Sequence, residues 1–145
     1  MKAKTAAIRL AEKHGTRNPF EICQNEGITV IRHPLGDIRG YFRRTKVGYI
    51  IVINSCLEGL PAMFACGHEL GHWAFDRGMN RVFMDCYTHF LPERMETRAD
   101  RFAAQLMFGE PPLYQEPITA QEMAEILNVP ISVVDERLLE FEIYY

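Results

Sequence analysis

The sequence predicts an α+β domain: a small antiparallel three-stranded sheet packed on one buried helix, with further helices around it. Three observations predict it. Short segments rich in β-branched and aromatic residues cluster between positions 28 and 54, separated by glycines. The run from Leu60 to Asp76 is apolar nearly all round, the mark of a helix covered on every side. Helical patterns lie before the β segments and after the apolar run. At 145 residues the chain suits one domain with a single core.

In order along the chain, Ala3, Ala6, Ala7, Leu10 and Ala11 recur at helical spacing over residues 2–14, and Gly15 ends that helix. In "NPFEICQNEG", Asn18 can cap a short second helix, Pro19 suits its first turn and Gly27 stops it. "ITVIRH", "GYFRR" and "YIIVIN" read as three strands of an antiparallel meander, with Gly36, Gly40 and Gly48 at the turns. "LPAMFACGHELGHWAFD" is the buried helix. A looser stretch runs from Gly78 to Leu91, and "PERMETRADRFAAQLM" is a helix starting at Pro92. "GEPPLYQEP" breaks the chain, and "TAQEMAEIL", the turn "NVP" and "ISVVDERLLEF" form a terminal helix pair.

Composition excludes several classes. Hydrophobic residues at 48% and charged residues at 24% are ordinary for a soluble globular protein, and no run approaches the ~20 apolar residues of a membrane span. "MKAKTAAIRLAEKHG" lacks the apolar stretch of a secretion signal. Cys23, Cys56, Cys66 and Cys86 contain no CxxC pair and read as free thiols, mostly buried, in a reducing cytoplasm. Residues 1–50 carry ten Lys/Arg against four Asp/Glu, a basic surface for solvent or an acidic partner. The terminal pair resembles a helix-turn-helix, but residues 119–145 hold six acids against Arg137 alone, the wrong sign for phosphate contacts.

The chemistry centres on "HELGH". His68 and His72 are four residues apart, so on a helix they lie on one face a turn apart and can share one tetrahedral zinc. Glu69 sits beside them, suited to take a proton from a water molecule. The competing reading is two core histidines bonded to backbone. A catalytic zinc needs a third protein ligand. Asp76 and His89 are candidates, although His68, His72 and Asp76 together span two helical turns, roughly 12 Å by rise. Glu96 is the better one. On the wheel of residues 92–107, Arg94, Arg98, Arg101 and Gln105 form a polar face, and Met95, Ala99, Phe102, Ala103 and Leu106 an apolar one. Glu96 falls within the apolar arc and Asp100 at its edge. A core-facing acid is costly unless paired or bound to a cation, so zinc on Glu96 and a histidine N–H donated to Asp100 would satisfy both. Pairing of both acids with surface arginines is the alternative. Gly67 and Gly71 each cost ~1 kcal/mol in a helix interior relative to alanine, which points to tight packing or to close approach of a strand or substrate.

"HELGH" followed by "ETRADRFAAQLM", together with "NPFEIC…GI" and "YIIVIN", resembles the ImmA/IrrE metallopeptidases of phages and mobile elements over roughly residues 1–110. The resemblance implies a zincin-like fold for residues 1–110, the metallopeptidase domain, and the sequence pattern makes 111–145 a helical pair expected to pack on it. It implies His68, His72 and Glu96 as zinc ligands, Glu69 as general base and Asp100 as the aspartate supporting a ligand histidine. It also implies that an extended substrate adds to the sheet edge lining the cleft, for which "GYIIVIN" is the candidate strand. The implied activity is zinc-dependent endopeptidase action on a helix-turn-helix repressor encoded nearby. The chain departs from the family pattern at Asp76, where a histidine is common, at Arg98, where an acid is common, and in "LMFGE". None of these is a proposed ligand.

Oxyanion stabilisation needs a further donor, for which His89, Tyr87 and Tyr114 are candidates. Two other functions compete: a zinc protein that antagonises its repressor by docking without cutting, and a purely structural zinc site. The latter leaves the glutamate inside the motif without a role.

Overall fold

The computed structural model describes residues 2–76, 91–109 and 119–134. Helix α1 (Ala3–His14) ends at Gly15, whose left-handed φ of 66° lets its N–H bond back to Ala11. Helix α2 (Pro19–Asn25) starts as its sequence requires: the Asn18 side chain accepts from the Phe20 N–H, and Pro19 occupies the first turn. The His14 imidazole and the Lys13 ammonium both reach Glu26, tying the end of α1 to that of α2.

Strands β1 (Thr29–His33), β2 (Gly40–Thr45) and β3 (Gly48–Asn54) form the sheet. The predicted antiparallel meander is corrected here. The order is β1-β3-β2; β1 runs parallel to β3, and β2 antiparallel to it. The most apolar strand takes the middle, where Tyr49 and residues 51–54 are buried. The charged strands take the edges, with exposed Arg32 on β1 and exposed Arg43 and Arg44 on β2. "GYIIVIN" is therefore the central strand and not the free edge expected of it; the edges belong to β1 and β2.

The chain passes from β1 to β2 through residues 34–39, and Asn54 fastens this connection. Its side-chain N–H groups donate to Gly36 O at 2.8 Å and Ile38 O at 2.9 Å, its Oδ1 accepts from Cys56 N, and its own N–H donates to Arg39 O at 2.8 Å. A buried asparagine with its groups satisfied locks a loop that would otherwise be loose.

Helix α3 (Gly59–Asp76) lies against the sheet, and every residue from Phe64 to His72 is buried. Helix α4 (Glu93–Phe108) packs along α3 on one side and α1 on another. Gln105, expected on the polar face of α4, is buried, as are all residues from Phe102 to Phe108. The reason is tertiary: α1 covers one flank, the Arg17 guanidinium donates to the carbonyls of Gln105 and Leu106, and a second apolar cluster covers another. That cluster joins Phe64 of α3 and Met107 and Phe108 of α4 to Met123 and Leu127 of α5 (Ala120–Leu127) and to Val133 and Val134. Helix α5 is capped by Thr119 and closed by Asn128 at φ 55°. Among the described residues no helix is long and apolar enough to cross a membrane. Cys23 and Cys66 are buried with their sulfurs 3.8 Å apart, and Cys56 is exposed.

Candidate metal centre

The 3.6-residue period puts His68 and His72 on one face of α3, with ring centroids 4.8 Å apart. Phe42 of β2 backs His72 at 5.4 Å between ring centroids and is itself stacked on Tyr49, so the sheet fixes the imidazole from behind. Helix α4 crosses close enough to deliver Glu96. That approach depends on the glycines of α3. A Cβ at Gly71 would stand 3.1 Å from Ala99 Cα, and one at Gly67 3.2 Å from Ala103 Cβ. Both glycines are thus explained by packing of α3 on α4.

The resulting cluster is compact. His68 Nε2 is 3.2 Å from His72 Nε2 and 3.3 Å from Glu96 Oε2, while His72 Nε2 is 2.8 Å from Glu96 Oε1. One ligand atom from each of the three residues lies within 4.8 Å of the others. Metal–ligand bonds of ~2.0–2.1 Å at tetrahedral angles put neighbouring ligand atoms ~3.3 Å apart, and two of the three separations meet that value. His72 Nε2 and Glu96 Oε1 thus meet in a buried contact, and the polar atoms of all three side chains turn towards one point. The donor set, two imidazoles and a carboxylate, suits a tetrahedral ion such as zinc and leaves a fourth position for water or substrate.

Electrostatics point the same way. Burial pulls the His68 pKa down, but the hydrogen bond to Asp100, the contact with Glu96 and the nearby Glu69 charge outweigh it and carry it up to about 10. Burial likewise works against a charged Glu96, yet the two imidazoles hold its pKa down to about 2. Three carboxylates around two imidazoles make a site that draws positive charge. Asp100 Oδ1 lies 2.8 Å from His68 Nδ1, which leaves His68 Nε2 turned to the cluster.

The cluster opens into a cleft of ≈ 240 Å³, lined among others by Asp37, Arg39, Gly40, His68, Glu69 and Glu96. The structure thus brings together five of the residues singled out from sequence: His68, Glu69, His72, Glu96 and Asp100. Glu96 faces the histidines, and Asp100 lies 2.8 Å from His68 with the Arg39 guanidinium 3.8 Å away on its other side. Tyr87, His89 and Tyr114 lie outside the described residues, as does the side chain of Asp76. Sequence reasoning missed Arg39, Asn54 and Phe42. The first stands before a glycine in "GDIRGYF", with nothing local to mark it off from a solvated loop arginine.

Comparison with known proteins agrees with this geometry. The family model described as the IrrE N-terminal-like domain, a peptidase family, matches residues 23–139. An uncharacterized immunity region protein of Bacillus phage phi105 is 37% identical over 108 residues, which is 74% of this chain and 68% of that protein. The metallopeptidase ImmA of Bacillus subtilis (strain 168) is 30% identical over 132 residues, 86% of this chain and 77% of that protein. The family match spans the histidine pair of α3 and the acids of α4 alike, and the chain belongs to the ImmA/IrrE family of metallopeptidases, of the phage type.

Proposed function

We propose that the protein is a zinc-dependent endopeptidase that cuts one peptide bond in a specific protein partner, a helix-turn-helix repressor of a phage or mobile element, in the cytoplasm. The observation that carries this reading is the convergence of His68, His72 and Glu96 at a cleft lined by His68, Glu69 and Glu96. The description of the phage relative as an immunity region protein supports a repressor as substrate.

In this reading His68, His72 and Glu96 hold the zinc, which when bound polarises the scissile carbonyl and lowers the pKa of water to ~7. Glu69 accepts the proton of the attacking water and returns it to the leaving amine. Asp100 accepts the His68 Nδ1–H and holds the ring in the tautomer that presents Nε2. An extended stretch of substrate adds along β2, an edge strand among the described residues, whose first residue, Gly40, borders the cleft. Residues 1–110 act as the metallopeptidase domain and 111–145 as its C-terminal region, of which the described residues 119–134 contribute to the second apolar cluster.

Incubating the zinc-loaded protein with the repressor encoded beside it tests the reading. Fragments are expected with wild type and none with Glu69→Gln, which leaves the ligands in place. Repressor released from DNA uncut by both proteins would replace cleavage with antagonism by docking.

A further inference from the structure

Arg39 is the only lysine or arginine among the described residues lining the cleft, and its neighbours Asp37, Glu69 and Glu96 are acids. Its Nη1 is buried with no hydrogen-bond partner among the described residues. Its Nη2 stands 3.8 Å from Asp100 Oδ1, beyond hydrogen-bond range, and that oxygen already binds His68 Nδ1 at 2.8 Å. The guanidinium rests over the Phe64 ring at 5.7 Å. Its backbone is held, because Arg39 O accepts from Asn54 N and the same asparagine fastens Gly36 and Ile38 ahead of it. A buried guanidinium N–H without an acceptor is a costly feature to keep on a fixed loop, and an arginine serving only the fold would turn it to a carbonyl.

Amide hydrolysis creates a new acceptor in the cleft. As water adds to the scissile carbonyl, its oxygen becomes negative within a cleft whose other described charged side chains are carboxylates or histidine. Resting on the metallopeptidase reading above, we infer that Arg39 is a catalytic residue whose guanidinium donates a hydrogen bond to that oxygen as the tetrahedral intermediate forms. The hydrogen bond is made to the developing charge; no proton leaves the arginine, and Glu69 carries the proton of water to the leaving nitrogen.

Arg39→Met and Arg39→Lys test this in the full chain with three readouts. Metal-free Arg39→Met is expected to unfold thermally at or above the wild-type temperature, since it loses an unsatisfied donor; an arginine that served the Asp100 ion pair would lower it. With zinc added to equal occupancy, acetohydroxamate, a small metal-binding anion, is expected to bind Arg39→Met about 10-fold or more weakly by calorimetry, and Arg39→Lys in between. On a repressor cut by wild type, kcat is expected to fall about 10²-fold in Arg39→Met with KM little changed, and added guanidinium to restore part of it. Wild-type acetohydroxamate affinity in Arg39→Met, or a destabilised metal-free protein, overturns the inference. Wild type that binds acetohydroxamate but cuts no repressor instead overturns the proposed substrate, and the acetohydroxamate comparison still decides Arg39.

Discussion

Gly71→Ala probes how closely α3 and α4 must approach for the metal centre to exist. In an exposed helix this change stabilises by about 1 kcal/mol. Here the new methyl would stand 3.1 Å from Ala99 Cα and Phe102 Cδ1 and 3.3 Å from Ala99 O. Two of those atoms are backbone, so no rotamer change relieves them. Overpacking of this kind costs about 1–3 kcal/mol, which leaves a net loss of about 0–2 kcal/mol after the propensity gain. Zinc binding suffers more. Ordinary contact begins at 3.4 Å, so α4 must retreat by about 0.3 Å, and Glu96 rides on it. Metal–ligand distances tolerate about ±0.2 Å, so zinc affinity is expected to fall about 10-fold or more. Thermal unfolding of the metal-free protein and zinc titration against a competing chelator measure the two effects. The neighbouring glycine supplies a control. At Gly67 the nearest atom is the Ala103 Cβ at 3.2 Å, a removable methyl. Gly67→Ala with Ala103→Gly should therefore recover wild-type behaviour, while Gly71→Ala with Ala99→Gly should not. Gly71→Ala that gains about 1 kcal/mol and keeps wild-type zinc affinity would refute the reasoning.

Glu96→Ala should purify with little zinc under conditions that saturate wild type, as judged by metal analysis; full retention would remove Glu96 from the ligand set. Asp100→Asn keeps the shape but weakens the acceptor for His68 Nδ1–H, so zinc affinity should drop about 10- to 100-fold, and an unchanged value would make Asp100 a bystander. The Lys13 ammonium, followed by the His14 ring, holds the Glu26 carboxyl below its usual pKa of 4.5 although burial opposes this. A depressed folded-state pKa means the stabilisation is complete above about 4.5 and disappears as pH falls through the lower folded value. The stability gap between wild type and Glu26→Gln in urea should therefore be present at about pH 5 and shrink towards pH 3; a gap that persists at pH 3 would contradict this.

Much of the site was legible because its signals are local. Helical period alone places His68 and His72 on one face and exposes Glu96 as an acid on the apolar side of its own helix. The cap at Asn18 and the glycine stop after His14 are chemistry between residues within a few positions of one another. The order of the sheet was not legible in this way. Three glycine-separated strands fit a meander as well as they fit β1-β3-β2, and the choice falls to burial: the strand apolar on both faces takes the centre, and arginines take the edges.

By itself, then, the sequence determined an α+β domain, a histidine pair with a glutamate between them, and a carboxylate on a later helix that needed a cation. Each is written in a periodicity of a few residues. Only the tertiary structure decided that Glu96 meets the histidines, that Gly67 and Gly71 exist to let α4 approach, that Gln105 is buried, and that Arg39 enters the cleft with an N–H to spare. Those facts depend on contacts between elements far apart in the chain, where a residue's partner is set by packing and by the loss of water, and neighbours in sequence carry no trace of it.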